Sequence, residues 1–168
     1  MIGKRLADEL NKQINIELFA AYQYFSMAAY CEAKSLDGFA SWMKVQAQEE
    51  LSHALKIYDY LIDRGATVTM LAIEQPKVKF NSVLDAFQTA LKNEEDLGTR
   101  FNELSEIARE EKDNITYSFL KWFLDEQVEE VALVSSVIDK LKLIGDNGYG
   151  LLMLSNELGQ RQPEPTAE

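Results

Sequence analysis

At 168 residues the chain is long enough to bury a sizeable core in one domain, and a hydrophobic content of 46% excludes both a disordered chain and a small disulfide-stapled scaffold. A formal net charge of -11 excludes nucleic acid and anionic membrane as main partners and suits a surface that attracts cations. The single cysteine, Cys31, can build neither an internal disulfide nor a thiolate cage and reads as a small core residue.

The N-terminus, Met1 to Leu10, carries no apolar run of signal type, and no stretch approaches the roughly 18 apolar residues of a membrane span, so a cytoplasmic chain is expected. The first breaker-free run, rich in Ala, Leu, Glu and Gln, predicts a helix over 4–33. A second helix is expected over 37–64, with Asp37 as N-cap and Gly65 closing it. Residues 65–81 follow as a connection containing the alternating stretch Thr67-Val68-Thr69-Met70-Leu71 and Pro76. A third helix over 82–110 opens on Ser82, and a fourth over 114–141 opens on Asp113, with Gly145 beyond it as a C-cap signal. A short fifth helix spans 147–158. Residues 1–160 read as a single domain and 161–168, with Pro163 and Pro165, as a flexible tail.

Connection lengths give the topology. About three residues join helices one and two, and again three and four, so each pair is an antiparallel hairpin. The connection over 65–81 could reach roughly 55 Å when extended, against about 42 Å for a 28-residue helix. It can cross the whole bundle, which predicts an all-α four-helix bundle with one long crossover.

Each apolar track is interrupted by residues that could bind a metal. Positions seven apart share a helix face to within about 20°. On that rule Glu17 lies between Leu10 and Tyr24, Glu50 between Met43 and Ile57, and Glu94 between Phe87 and Phe101. Gln127 lies between Leu120 and Val134, and Glu130 between Phe123 and Val137. In an antiparallel hairpin, residues equidistant from the turn share a level because the rise per residue is constant. Residues 17 and 53 are centred on Ser35, and residues 94 and 130 on Lys112, both at turns. The inward polar groups of each hairpin therefore meet near mid-helix. Several buried acids in one layer need cations or protons. Glu50 and His53 form an E-x-x-H pair on adjacent turns, and His53 is the only histidine, so one ion can have an imidazole ligand while a second must rely on oxygens.

These residues resemble a known family. Asn15-Ile16-Glu17-Leu18, the run Gln46-Ala47-Gln48-Glu49-Glu50-Leu51-Ser52-His53-Ala54, Glu94, and Asp125-Glu126-Gln127-Val128-Glu129-Glu130 are similar to the ferroxidase motifs of bacterial and archaeal non-haem ferritins, and the likeness runs through nearly the whole chain. The resemblance implies a ferritin-like bundle with one iron site from Glu17, Glu50 and His53 and a second from Glu50, Glu94 and Glu130, with Gln127 close by. It also implies a third site from Glu49, Glu126, Glu129 and Glu130; the alternative for Glu126 and Glu129 is a solvated face. Tyr24 matches a tyrosine beside the centre, either an electron donor or a core residue bonded to a carboxylate.

Two departures narrow the family. Gln127-x-x-Glu130 stands where a second E-x-x-H would be, and Leu51 stands where a bacterioferritin carries a haem-ligating methionine. With one cysteine there is no rubredoxin-type centre, so neither haem nor an iron–sulfur cofactor is implied. The implied function is iron storage: oxidation of Fe(II) by O2 or H2O2, then mineral deposition inside a shell of 24 subunits, with the short helix at fourfold axes. The alternatives are a di-iron oxidase or peroxidase acting on another substrate, and a structural shell subunit without an active centre.

Overall fold

The computed structural model describes residues 1–163, and five α-helices are the regular secondary structure among them: α1 (Lys4–Glu32), α2 (Asp37–Asp63), α3 (Val83–Glu110), α4 (Asn114–Ile144) and α5 (Gly148–Leu158). The expected boundaries hold to within a few residues. Of the flexible tail expected over 161–168, residues 164–168 lie outside the described residues, while Arg161 is hydrogen-bonded to Gln46 and Glu49 of α2.

Local chemistry explains where the helices stop and start. Ser82 caps α3 by accepting the Asp85 amide at 3.0 Å, and Asp113 caps α4 by accepting the Thr116 amide at 3.0 Å. Asp37 does not cap α2; it is the first helical residue, preceded by Leu36, and its charge favours the positive end of the helix dipole instead. Helix α4 runs to Ile144, three residues past the expected end, because no breaker intervenes before Gly145 at φ 57°. Both hairpins turn through a single left-handed residue, Ser35 at φ 57° and Lys112 at φ 56°. Those are the residues on which the two levels were expected to centre.

Helices α1 and α2, and α3 and α4, pack as antiparallel pairs, and α1 also packs on α3. Side-chain pairs give the remaining directions. Arg5–Glu110 and Tyr24–Glu94 set α1 antiparallel to α3, while Arg64–Asp113 and Gln46–Glu130 set α2 antiparallel to α4. The crossover travels the length of α1 as an irregular strap. Its alternating stretch forms no strand among the described residues, because α1 side chains take up its backbone groups. Asn11 donates to the Thr67 carbonyl at 3.0 Å and accepts the Thr69 amide at 2.7 Å. Three turns on, Gln23 donates to the Lys77 carbonyl at 3.0 Å and accepts its amide at 2.9 Å.

The core is divided in two. One cluster, around Phe39, Trp42, Met43 and Phe87, fills the end that carries the α1–α2 turn. The other, around Leu10, Ile57, Phe101 and Phe123, fills the opposite end, with Phe101 and Phe123 stacked at 4.7 Å. Each fully buried side chain of this size stabilises the fold by about 1.5–3 kcal/mol. Between the clusters lies a polar layer.

Candidate metal centre

All four long helices contribute to that layer. Gln13 and Glu17 come from α1, Gln46, Glu50 and His53 from α2, Glu94 from α3, and Gln127 and Glu130 from α4; every one is buried. Glu17, Glu50 and Glu94 are 0% exposed, although an isolated ionised carboxylate in such a place would be strongly disfavoured.

Glu17, Glu50 and His53 form the tightest group: one ligand-type atom from each lies within 4.8 Å of the others. His53 turns Nδ1 toward both acids, 3.2 Å from Glu50 Oε2 and 3.8 Å from Glu17 Oε2. Its ring is held edge-on against Trp122 at 5.4 Å and Phe123 at 5.9 Å between centroids. Gln13 donates to Glu17 Oε1 at 2.6 Å, which leaves Glu17 Oε2 without a partner; Glu50 Oε1 has none either. When both acids are ionised, each keeps a buried oxygen that no protein donor reaches, and a cation would complete it.

The other half of the layer is bonded within itself. Tyr24 Oη donates to Glu94 Oε1 at 2.5 Å, and Gln127 Nε2 reaches the Glu94 carbonyl at 3.0 Å and Oε2 at 3.2 Å. Glu130 Oε2 accepts from Gln46 Nε2 at 2.8 Å. Of the expected third group, Glu49 is bound by Arg161 Nη2 at 2.7 Å, Glu126 is half-buried and Glu129 is exposed. The structure thus brings Glu17, Glu50 and His53 into one compact group. It sets Glu94, Gln127, Glu130 and Tyr24 in the adjoining hydrogen-bonded half, and Glu49, Glu126 and Glu129 towards the edge.

Electrostatics follow the burial. Desolvation, then the neighbouring Glu50, pushes Glu17 well above the usual carboxylate range. Desolvation and then the charge of Glu94 do the same to Glu50. Glu94 is also raised by burial, with the Tyr24 and Gln127 hydrogen bonds opposing the rise. Burial and then Glu94 lift Glu130 to about 7. Desolvation, followed by Glu94, drives the Tyr24 hydroxyl upward as well, so it stays a donor. Without cations, these acids keep protons that exposed carboxyls would give up.

Sequence reasoning missed Gln13, Gln46 and Arg161. The two glutamines stand four residues before Glu17 and Glu50 on the same faces, a spacing that could have signalled amide donors to buried acids. Arg161 had no such signal, being outside every periodic segment. An apolar groove of about 320 Å³ between α1 and α3, lined by Ile16, Phe19, Leu97 and Arg100 among others, includes none of the acids of the layer. An organic substrate held there would not touch them.

The ferritin-like domain family matches residues 7–144. The bacterial non-heme ferritin of Staphylococcus aureus (strain MRSA252) is 48% identical over 161 residues, 96% of this chain and 97% of the relative. That of Staphylococcus epidermidis is also 48% identical over 161 residues. Among solved structures, the open pore ferritin of the hyperthermophilic archaeon Archaeoglobus fulgidus superimposes with a TM-score of 0.96 at 44% identity, covering 96% of this chain and 100% of that one. A match along nearly the whole length, in sequence and in fold alike, means that this chain belongs to the ferritin family.

Proposed function

We propose that the protein stores iron and detoxifies it by oxidising Fe(II) to Fe(III) at the buried layer, then depositing the product as a ferric oxyhydroxide mineral inside a shell of its own copies. The observation that carries this reading is the Glu17–Glu50–His53 group, three buried ligand-type residues drawn together between two apolar cores, with an unpartnered oxygen on each acid. The donors suit iron as substrate: carboxylate oxygens and one imidazole are borderline-hard ligands, and their negative charge favours Fe(III) over Fe(II).

In this reading Glu17, Glu50 and His53 hold one iron, and Glu50, Glu94 and Glu130 hold the second with Gln127 alongside. Glu50 is shared, so both irons can deliver electrons to one small oxidant. Two Fe(II) ions together supply the two electrons that take O2 to H2O2, or H2O2 to water. Burial excludes larger reactants, since these side chains are at most 5% exposed, which argues against an oxidase of organic substrates. Tyr24 orients Glu94 through its 2.5 Å hydrogen bond. Glu49, Glu126, Glu129 and Glu130 make a third position that accepts iron leaving the centre. Among the described residues no helix is long and apolar enough to cross a membrane. Exposed apolar side chains on α1, α2 and the crossover, among them Phe25, Leu55, Ile62, Met70 and Leu71, support burial against further copies, as a 24-subunit shell requires.

The test combines size and rate. The purified protein should elute as a shell, and Fe(II) added in air should give a rapid ferric absorbance. His53→Ala and Glu94→Ala should keep the shell and slow the initial rate roughly tenfold or more. Unchanged initial rates in both variants would remove these residues from the chemistry.

A further inference from the structure

The residue that closes the edge of the layer comes from beyond the last helix. Helix α5 is seated on the start of α2 through Gly38, where a Cβ would lie 1.7 Å from the Ser155 carbonyl oxygen, and the Gly38 amide donates to Ser155 Oγ at 3.1 Å. This close approach fixes where the chain emerges after Gly159. Two residues later, Arg161 lays its guanidinium over the Trp42 ring, 5.0 Å from the centroid. Its Nη2 donates to Glu49 Oε2 at 2.7 Å and its Nη1 to Gln46 Oε1. Gln46 in turn donates Nε2 to Glu130 at 2.8 Å.

The direction of this relay is fixed by chemistry. A guanidinium has only donors, so it can take only the amide oxygen of Gln46. The amide nitrogen is therefore forced toward Glu130 and cannot flip. Arg161 and Glu49 are only 18% and 12% exposed at their side chains, too dry for a loose surface pair. Glu49 Oε1 is buried and has no partner, so the carboxylate is only half satisfied by Arg161. A cation already occupies the place where a metal ion would use Glu49, and it is tethered to the chain.

We propose that Arg161 is a positioning residue that holds Glu49 in reserve and orients Glu130 through Gln46, so that a further divalent ion can take Glu49 as a ligand only when Arg161 swings away. This rests on the reading of the layer as a metal centre. The residue controls the outer position, which must gain a divalent ion and lose a guanidinium, while the Glu17–Glu50–His53 position does not touch it. Lysine would keep the charge but not the two-pronged contact with Gln46 and Glu49.

The assembled protein, its Arg161→Gln variant and its Arg161→Lys variant can be titrated with Zn(II), a redox-inert probe, by calorimetry and tryptophan emission, with assembly checked by size exclusion. The first ion per chain, held by Glu17, Glu50 and His53, should bind alike in all three. The third should bind roughly tenfold or more tightly in Arg161→Gln than in the wild type, with Arg161→Lys between them. In the wild type the third equivalent should also change the emission of Trp42, which at 1% exposure emits to the blue of the 39% exposed Trp122. Arg161→Gln should lack that change. Equal third-ion affinity in wild type and Arg161→Gln, or no third ion in either, overturns the role of Arg161. Failure of the first two ions to bind in the wild type would instead overturn the metal-centre reading itself.

Discussion

Loading the layer with divalent cations must release protons, and the amount can be worked from the burial of its acids. Glu130 is raised from an ordinary 4.5 to about 7. Between those values the folded, metal-free chain holds a proton there that the unfolded chain has lost. Its contribution to stability therefore declines as pH rises through that window, and the penalty is absent below it. A cation needs the carboxylate ionised, so the sign for binding is opposite: affinity rises with pH. From Glu130 alone, the ionised fraction climbs from roughly one-tenth near about pH 6 to roughly three-quarters near about pH 7.5, a gain of about 8-fold in affinity. Glu17, Glu50 and Glu94 are pushed upward by the same desolvation, so the whole layer should respond more steeply. Calorimetric Zn(II) titrations near about pH 6.5, in two buffers of different ionisation enthalpy, count the protons directly. At least one proton per chain is expected, and fewer from Glu130→Gln. A binding enthalpy independent of buffer, with affinity flat across that range, would refute the argument that these acids are protonated when empty.

Two further substitutions test the supports. Tyr24→Phe removes the donor to Glu94 Oε1 and should leave the shell intact while weakening the second Zn(II) by roughly 3–10-fold, measured by calorimetry; if Zn(II) affinity is unchanged and only the initial oxidation of Fe(II) slows, the tyrosine is an electron donor and not a positioning group. Arg64→Ala breaks the pair with Asp113 that ties the end of α2 to the cap of α4, and should cost about 1–3 kcal/mol near neutral pH in thermal unfolding. Burial raises the Asp113 carboxyl, but Arg64 and the Thr116 amide outweigh it and hold it below 3.8, so its stabilisation is complete above that value and fades as pH falls through the lower folded one. The deficit of Arg64→Ala should accordingly shrink on acidification.

The parts of this molecule legible in the sequence are those governed by local rules. Helix spans followed from runs without Gly or Pro, and Ser82 and Asp113 cap as their positions suggest. The shared level of the acids followed from counting outward from Ser35 and Lys112, because the rise per residue leaves little freedom once the turn is known. Asp37 misled because an acid at a helix start serves either as a cap or as a first-turn charge, and the turn geometry at Leu36 chose the latter. The strap over α1 was legible as a length but not as a ladder of Asn11, Asn15 and Gln23 contacts, since side-chain amides carry no periodic signal. Arg161 lay furthest from view. Its position depends on a backbone approach at Gly38 more than 110 residues away, a relation that only the folded chain creates.

The two halves of the layer are prepared unequally, and that difference bears on whether iron stays or moves on. Glu17 Oε2 and Glu50 Oε1 have no partner to lose, and His53 Nδ1 already faces both acids. An ion entering there breaks little and gains an imidazole. At Glu94 and Glu130 an ion must compete with hydrogen bonds from Gln127 and Gln46, and it finds no histidine, because His53 is the only one in the chain. The second ion should therefore be the weaker by roughly tenfold or more, on the scale at which single supporting contacts alter metal affinity. Oxidised iron in that half would be free to leave for storage instead of remaining as a fixed cofactor. Mild chelation of protein loaded with Fe(II) and exposed to air should strip one iron per chain well before the other, followed by the loss of ferric absorbance. Two irons released together, or two retained, would mean that the missing histidine does not set the direction in which iron travels.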